Sequence, residues 1–218
     1  MLSILNVSVA QNLRVGYEVC IYDINGELGF GRRFDFEYPF LNGKNEHESG
    51  RLPCKPNLIR KGLRDHEQFI TYMDADAFAI RKFDEVNSDD YDVGVTMRPQ
   101  EMRGATKWPL IYGYLNSGIL FFNYTAAAFS FLDMWEKAVN GNHSKSDQEG
   151  LNTLVLQATD LTKYNKTFKL RNIRIKVFHC DIYNFFYWPK KPLLTTKIVH
   201  CKTDKRDALE DWGHRAWI

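Results

Sequence analysis

The sequence predicts an α/β fold, a single domain in which helices flank a mixed, mostly parallel central sheet. Apolar strand-like runs alternate with amphipathic helical segments, a pattern typical of layered α/β proteins. The 218 residues, 44% of them hydrophobic, are enough to form one sizeable core. No linker divides the sequence, so we expect one domain over residues 1–218.

The first elements follow from the spacing of apolar residues and the positions of turn formers. Residues 3–14 have helical periodicity, and Gly16 ends the helix. Residues 17–23 and 33–38 are predicted strands, the second because polar and apolar side chains alternate in it. Residues 41–53 are polar and contain glycine, which indicates a loop.

The later elements continue the alternation of helix and strand. A helix after Pro56 carries Leu58, Ile59 and Leu63 on one face, and an apolar strand ending at Met73 follows it. The remaining predicted elements are a helical turn at residues 84–86, strands at 92–97, 115–123, 168–178 and 196–200, and helices at 125–139 and 147–158. Residues 99–111 form a long connection.

Composition and charge argue against several classes of protein. A formal net charge of +2 argues against a dedicated nucleic-acid binder, and we interpret the basic residues within 163–176 as the solvated face of an edge strand. No apolar run is long enough for a membrane span, and the N-terminus lacks the features of a signal peptide, so we expect a cytoplasmic protein.

Four widely spaced cysteines indicate free thiols, at Cys20, Cys54, Cys180 and Cys201.

Two acidic residues, Asp74 and Asp76, interrupt an apolar run directly after the strand that ends at Met73. Carboxylates in apolar surroundings are costly unless a positive group neutralises them. Strand alternation would place both side chains on one face, where they could bind one divalent cation and leave ligand positions for phosphate oxygens. The alternative is a solvent-exposed turn after an edge strand.

A second polar motif stands at the start of an apolar strand, in residues 116–123. Gly118 permits the close approach of a ligand to the backbone, and the amide of Asn116 can donate to and accept from a hydroxyl. The alternative is a strand that simply begins with a glycine bulge.

Two more motifs carry polar side chains at the ends of elements. Ser146 or Asp147 can cap the helix that begins there, but capping does not account for Gln148. His200 ends the last apolar strand, where an imidazole could complete the ligand set of a cation. Lys202 or Lys205, shortly after it, could neutralise a leaving diphosphate.

Together these four motifs resemble the GT-A fold (a Rossmann-like fold) of nucleotide-sugar-dependent glycosyltransferases, most closely family 8 and related nucleotide-diphospho-sugar transferases. The matching features, in order, are D-x-D, N-S-G-x-x-x-x-N, D-Q-[DE]-x-x-N and a late strand ending in histidine. The similarity covers residues 55–206, and the short chain is typical of small members of chlorovirus type. The resemblance implies a nucleotide- and metal-binding half at residues 1–100 and a sugar- and acceptor-binding half at residues 101–218.

The resemblance also implies a role for each matching position. Asp74, Asp76 and His200 would hold Mn²⁺ or Mg²⁺. Asp147 would hydrogen-bond the donor sugar, and Gln148 would lie under its anomeric carbon as the second catalytic position. The other contacts to the nucleotide sugar would come from Asp74, Ala75, Asn116, Ser117, Gly118 and Lys202.

Three features depart from the family pattern. The first strand, which carries part of the nucleobase pocket, is missing or shortened. Thr203 and Arg206 occupy the glycine and lysine positions of the family 8 tail H-x-x-G-x-x-K, and Glu149 is the third residue of the D-Q-D pattern. The first of these departures leaves the contacts to the base unassigned.

The implied activity is transfer of a hexose from a UDP-linked sugar such as UDP-glucose to a hydroxyl of a glycan or glycoprotein, with retention of configuration. An inverting reaction with Asp147 or Glu149 as base stays open, as does the presence of further domains in a longer protein. The alternatives are a nucleotidyltransferase and a non-catalytic nucleotide-sugar-binding module. Residues 1–20 contain no Gly-rich basic phosphate loop of the kind a nucleotidyltransferase usually has.

Overall fold

The computed structural model describes residues 2–24, 31–34, 54–99, 113–141, 146–156, 158, 163–186 and 192–201. Its helices are α1 (Leu2–Val15), α2 (Cys54–His66), α3 (Ala126–Gly141), α4 (Asp147–Val155) and α5 (Cys180–Tyr183), with a 3₁₀ turn at Asp84–Val86. Its strands are β1 (Tyr22–Ile24), β2 (Arg32–Phe34), β3 (Ile70–Met73), β4 (Ala77–Ala79), β5 (Val93–Met97), β6 (Leu115–Phe122), β7 (Thr167–Leu170), β8 (Ile173–His179) and β9 (Ile198–His200).

Five of these strands form the main sheet, in the order β3-β6-β5-β8-β7. Strand β5 runs parallel to β8, whereas the β3–β6, β6–β5 and β8–β7 pairs are antiparallel. The α/β architecture with flanking helices is confirmed, but the described strands pair mostly antiparallel rather than mostly parallel as predicted. The reason is that β6 lies between β3 and β5 and runs against both.

Residues 168–178, predicted as one strand, instead belong to the β7–β8 hairpin. Arg171 occupies the left-handed backbone region (φ 57°) in the turn that separates the two strands. Of the two hairpin strands, β7 lies at the edge of the main sheet and β8 does not, so the basic stretch does not form a single solvated edge as predicted. On β8 the guanidinium of Arg174 lies 2.9 Å from the carboxylate of Asp92, which ties β8 to the start of β5.

Helices α2, α3 and α4 cover one face of the main sheet. Their apolar side chains pack with those of the sheet in one buried cluster, and Trp135, Phe131, Leu63, Leu151 and Phe122 within it are fully buried. Because β6 has a second cluster behind it, all eight of its residues are buried. Burial on both faces explains why the second half of the strand, residues 119–122, is a continuous apolar run.

The opposite face is covered by the antiparallel pair β4–β9 and by α5. Phe121, Phe178 and Tyr183 pack edge-to-face there, with ring centroids 5.1 to 6.0 Å apart. Helix α1 joins this layer because Asn12 accepts a hydrogen bond from the backbone N–H of Ala79 at 2.9 Å. The main sheet is thus the middle layer of three.

Strand β1 begins later than predicted, because residues 17–21 are not in a strand, and the described residues of β1 and β2 do not pair with the main sheet. Strands β1 and β2 pair in parallel with each other, and the Tyr22 hydroxyl donates to Asp65 of α2 at 2.8 Å. The predicted helix end is confirmed, since Gly16 follows α1 with φ 97°. The loop predicted at residues 41–53 lies outside the described residues.

Two predictions from composition can be compared with the structure. Cys20, Cys180 and Cys201, the cysteines whose side chains are described, are free thiols as predicted. Within the described segments, no helix combines the length and the hydropathy needed to cross a bilayer.

Candidate functional site

Polar side chains from several elements meet at one edge of the main sheet. Strand β5 ends at this edge with Met97, which is paired with Leu115 at the start of β6. Parallel β8 ends there with His179, and β3 ends with Met73 opposite Ile119 of β6. The edge therefore gathers the D-x-D motif and the Asn-Ser-Gly motif, which are far apart in sequence.

Asp74 and Asp76 lie in the turn that joins β3 to β4. The backbone N–H of Asp74 donates to the carbonyl of Gly118 at 2.8 Å, and the N–H of Ala77 closes the turn on the carbonyl of Asp74 at 2.9 Å. The prediction that both acids reach one place is confirmed, but the cause is different. The turn brings them together, not the alternation of a continuous strand.

His200 joins the two acids because β9 is paired with β4. Ala77 is opposite His200 in the register, and the N–H of Cys201 donates to the carbonyl of Asp76 at 2.8 Å. The ring nitrogen Nε2 of His200 lies 3.1 Å from Oδ1 of Asp76 and 3.7 Å from Oδ2 of Asp74. His200 is only 3% exposed and Asp76 9%, so the cluster is largely shielded from solvent.

One oxygen or nitrogen from each of these three side chains lies within 4.8 Å of the others, so the cluster could hold one metal ion. Two carboxylate oxygens and one imidazole nitrogen suit a divalent cation such as Mn²⁺. The local backbone is shaped for this cluster, because a Cβ atom at Gly118 would lie 2.1 Å from Cε1 of His200 and 3.0 Å from Oδ2 of Asp74. The residues present therefore fit a bound cation.

Gly118→Ala should destabilise the folded protein by about 1–3 kcal/mol, because the added methyl group overlaps the His200 ring. Chemical unfolding measures the change. Gly62→Ala is the matched control, since its methyl group meets the end of the Ile70 side chain at 3.3 Å and alanine favours the α2 helix. Equal stability of Gly118→Ala and wild type would contradict the close packing of this site.

Lys55, in the first turn of α2, was not identified from the sequence. Its ammonium nitrogen lies 2.8 Å from Oδ2 of Asp147 and 3.0 Å from Oδ1 of Asp74, and it also contacts Ser117. The side chain is 15% exposed. A signal was present, because a cation in the first turn of a helix is unfavourable unless an acid pairs with it.

These contacts shift the pKa values of the site. Burial lowers the pKa of Lys55, but Asp147 and Asp74 outweigh burial and hold it well above its ordinary value. Burial raises the pKa of Asp74, but Lys55 and His200, with a hydrogen bond from the Tyr72 hydroxyl at 2.8 Å, lower it to about 2. Asp74 is thus a carboxylate at neutral pH.

The Asn-Ser-Gly motif lies inside β6. Gly118 lies against His200, and Ser117 lies beside Lys55 and Asp147. Oδ1 of Asn116 accepts from the N–H of Gly118 at 2.9 Å, while its Nδ2 is buried with no acceptor within hydrogen-bond distance among the described residues. The hydroxyl of Ser117 donates to Asp147 at 3.0 Å. The pairing of β6 with β5 is irregular between Val95 and Thr96, which confirms the bulge alternative, while the functional interpretation of the motif stays a prediction.

The third motif forms the start of α4. Ser146 is the N-cap and accepts from the N–H of Glu149, which confirms the capping interpretation for that residue. Asp147 joins the cluster through Lys55, and Gln148 lies half-buried next to it in the same turn. Asn152 is structural: its side chain accepts from the N–H of Leu115 at 2.9 Å, which fastens α4 to β6.

Of the two other predicted positions, Ala75 is described by the structure and Lys202 is not. Ala75 lies exposed in the turn between the two acids, where its backbone can be reached by a ligand. Lys202 follows the last described residue and lies outside the described part of the chain.

Comparison with known proteins supports the fold. No protein-family model matches the chain, and no curated protein matches its sequence. Among solved structures, the chain is similar to the crystal structure of a glycosyltransferase involved in the glycosylation of the major capsid of PBCV-1. The match has a TM-score of 0.57 at 11% identity and covers 95% of this chain and 92% of the other. The chain therefore has a glycosyltransferase fold, as its four motifs predict.

Proposed function

We propose that this chain is a metal-dependent glycosyltransferase that moves a hexose from a UDP-linked sugar to an acceptor hydroxyl. The observation that carries the proposal is the cluster of Asp74, Asp76 and His200 at the sheet edge of a glycosyltransferase fold.

In this proposal Asp74, Asp76 and His200 hold Mn²⁺ or Mg²⁺, which would offset the charge that builds on the leaving diphosphate. The protein groups do the rest of the positioning. Nδ2 of Asn116, buried without an acceptor among the residues that the structure describes, would donate to the donor sugar or its phosphate. Asp147, fixed by Lys55 and Ser117, would accept from a sugar hydroxyl.

We favour retention of configuration. An inverting reaction needs a carboxylate base near the acceptor, with Asp147 and Glu149 as the candidates, and Oδ2 of Asp147 is already engaged by the ammonium of Lys55 and the hydroxyl of Ser117. Gln148, under the anomeric carbon, is a poor nucleophile, so the leaving phosphate would take the proton of the acceptor on the same face. Product analysis by NMR distinguishes the anomers.

The acceptor in this proposal is a hydroxyl of a glycan or glycoprotein. The support is the structurally similar PBCV-1 enzyme, which takes part in glycosylating a capsid. Lys202 is proposed as a diphosphate contact, and the nucleobase contacts stay unassigned.

Calorimetry with UDP, with and without Mn²⁺, followed by a donor-hydrolysis assay, tests the proposal. A glycosyltransferase should bind UDP more tightly when Mn²⁺ is present and should slowly hydrolyse one UDP-sugar of a panel. Binding without hydrolysis or transfer would indicate a non-catalytic module. Release of pyrophosphate from a nucleoside triphosphate would instead indicate a nucleotidyltransferase.

His200→Ala should weaken Mn²⁺ binding, and its activity should recover in part at high Mn²⁺ because the two carboxylates remain. Titration of activity against Mn²⁺ measures both effects. His179→Ala is the matched control, since His179 ends β8 and is not a member of the acid cluster. If added Mn²⁺ makes no difference to His200→Ala, His200 is not a ligand.

A further inference from the structure

The buried side of the His200 ring contacts two hydrogen-bonded side chains, Asn184 and Thr96, that none of the four motifs contains. We call these two side chains the polar chain. While Nε2 faces the two acids, Nδ1 lies 3.0 Å from Oδ1 of Asn184. Asn184 follows α5 directly and is fully buried, and its Nδ2 donates to the hydroxyl of Thr96 at 2.8 Å. Thr96 is also fully buried, on β5.

The partners of Thr96 fix the orientation of every group in this chain. Its hydroxyl lies 3.1 Å from the carbonyl oxygen of Asn116 and 3.4 Å from that of Ile119. Carbonyl oxygens only accept, so the single hydroxyl hydrogen of Thr96 points toward them. The Thr96 oxygen must then accept from the amide nitrogen of Asn184, and the amide oxygen of Asn184 is left to face His200.

An amide oxygen cannot donate, so Nδ1 of His200 must carry a hydrogen atom. In the neutral ring the lone pair is then on Nε2, which points at Oδ1 of Asp76 from 3.1 Å. Two lone pairs facing each other at this distance repel unless a cation or a proton lies between them. The polar chain thus keeps the lone pair on Nε2, where it can bind a cation.

We propose that Asn184 and Thr96 are positioning residues that hold His200 in the tautomer protonated on Nδ1, so that Nε2 is available to a divalent cation. The tautomer follows from the described contacts alone, and the cation part rests on the proposed function. Hydrogen-bond partners behind a metal-binding histidine typically change metal affinity 10- to 100-fold when they are removed.

The first experiment detects the tautomer without metal. Imidazole ¹⁵N spectra of the metal-free protein, at an alkaline pH of about 9 where a histidine is ordinarily neutral, should show His200 protonated on Nδ1 in the wild type. Asn184→Leu removes the acceptor and should shift the ring toward a mixture of tautomers. Asn184→Asp keeps an acceptor and should preserve the wild-type spectrum. A wild-type ring protonated on Nε2, or a spectrum unchanged by Asn184→Leu, would overturn the proposal.

The second experiment measures Mn²⁺ affinity by the EPR signal of free Mn²⁺. Asn184→Leu should weaken binding 10- to 100-fold, and Thr96→Val by a smaller factor. Because Thr96 acts through Asn184, the double variant should bind like Asn184→Leu alone, which is a non-additive result. Additive losses would show that Thr96 acts independently of Asn184, contrary to the proposal.

A control separates positioning from loss of stability. Asn123, beyond the other end of β6, donates to the carbonyls of Ser88 and Tyr91, so Asn123→Ala should lower stability without weakening Mn²⁺ binding. Asn184→Leu could be destabilised as much as Asn123→Ala and still bind Mn²⁺ like the wild type. That result would show that Asn184 is a structural residue only. If the wild type shows the expected tautomer yet binds no Mn²⁺ with or without UDP, the metal dependence under the proposed function fails while the tautomer assignment stands.

Discussion

Asp76→Asn is expected to lower the rate of sugar transfer by about a hundredfold or more while the fold survives. The carboxylate of Asp76 is nearly buried and lies 3.1 Å from Nε2 of His200, so in the proposed site it is a direct ligand. Asparagine has almost the same shape but only one neutral oxygen to offer. A cation that is bound more weakly and positioned less accurately occupies fewer molecules and offsets less of the charge on the leaving diphosphate.

The measurement is turnover of the UDP-sugar that the wild type uses, at a series of Mn²⁺ concentrations. Circular dichroism and thermal unfolding verify that the variant is folded. Asp133→Asn is the matched control, because Asp133 is a largely exposed aspartate on α3 that pairs with Arg60. Turnover of Asp76→Asn equal to wild type at every Mn²⁺ concentration would remove Asp76 from the catalytic site.

The sequence allowed most elements of the fold to be predicted, but not how the strands pair. Helical periodicity gave α3 to within a few residues of its observed bounds, Ala126–Gly141, because the amphipathic pattern there is regular. Alternation along one strand carries no information about the direction of its neighbour, so the antiparallel position of β6 could not be foreseen. The turn at Arg171 was missed because no glycine or proline marks it.

Some residues of the candidate site could be predicted from the sequence and others could not. Asp74, Asp76, His200 and Asp147 were identified because each stands in a recognisable local pattern at the end of an element. Lys55 and Asn184 were not, because their importance depends on contacts made only after folding. Asn184 reaches Thr96 from 88 positions away, and nothing in the local sequence of either residue indicates this contact.

Lys55→Met should destabilise the protein by about 3 kcal/mol near neutral pH, the second large effect that we expect. The substitution leaves Asp74 and Asp147 as neighbouring, partly buried carboxylates without their shared cation. Lys61→Met is the matched control on the same helix, because Lys61 is 36% exposed and its pair with Asp65 should contribute less than about 1 kcal/mol. Chemical unfolding of both variants measures the difference.

The dependence on pH and on Mn²⁺ distinguishes loss of charge pairing from loss of packing. The pKa of Asp74 is lowered to about 2 in the folded wild type, from an ordinary value of about 4, so its contribution to stability is present above pH 4 and is lost as the pH falls toward 2. The stability gap between Lys55→Met and wild type should therefore narrow below about pH 4, as the unpaired carboxylate of Asp74 becomes protonated. Mn²⁺ should also stabilise the variant more than the wild type, because the ammonium of Lys55 no longer competes for Asp74. A gap that is unchanged by both acid and Mn²⁺ would mean that Lys55 contributes packing rather than charge at this site.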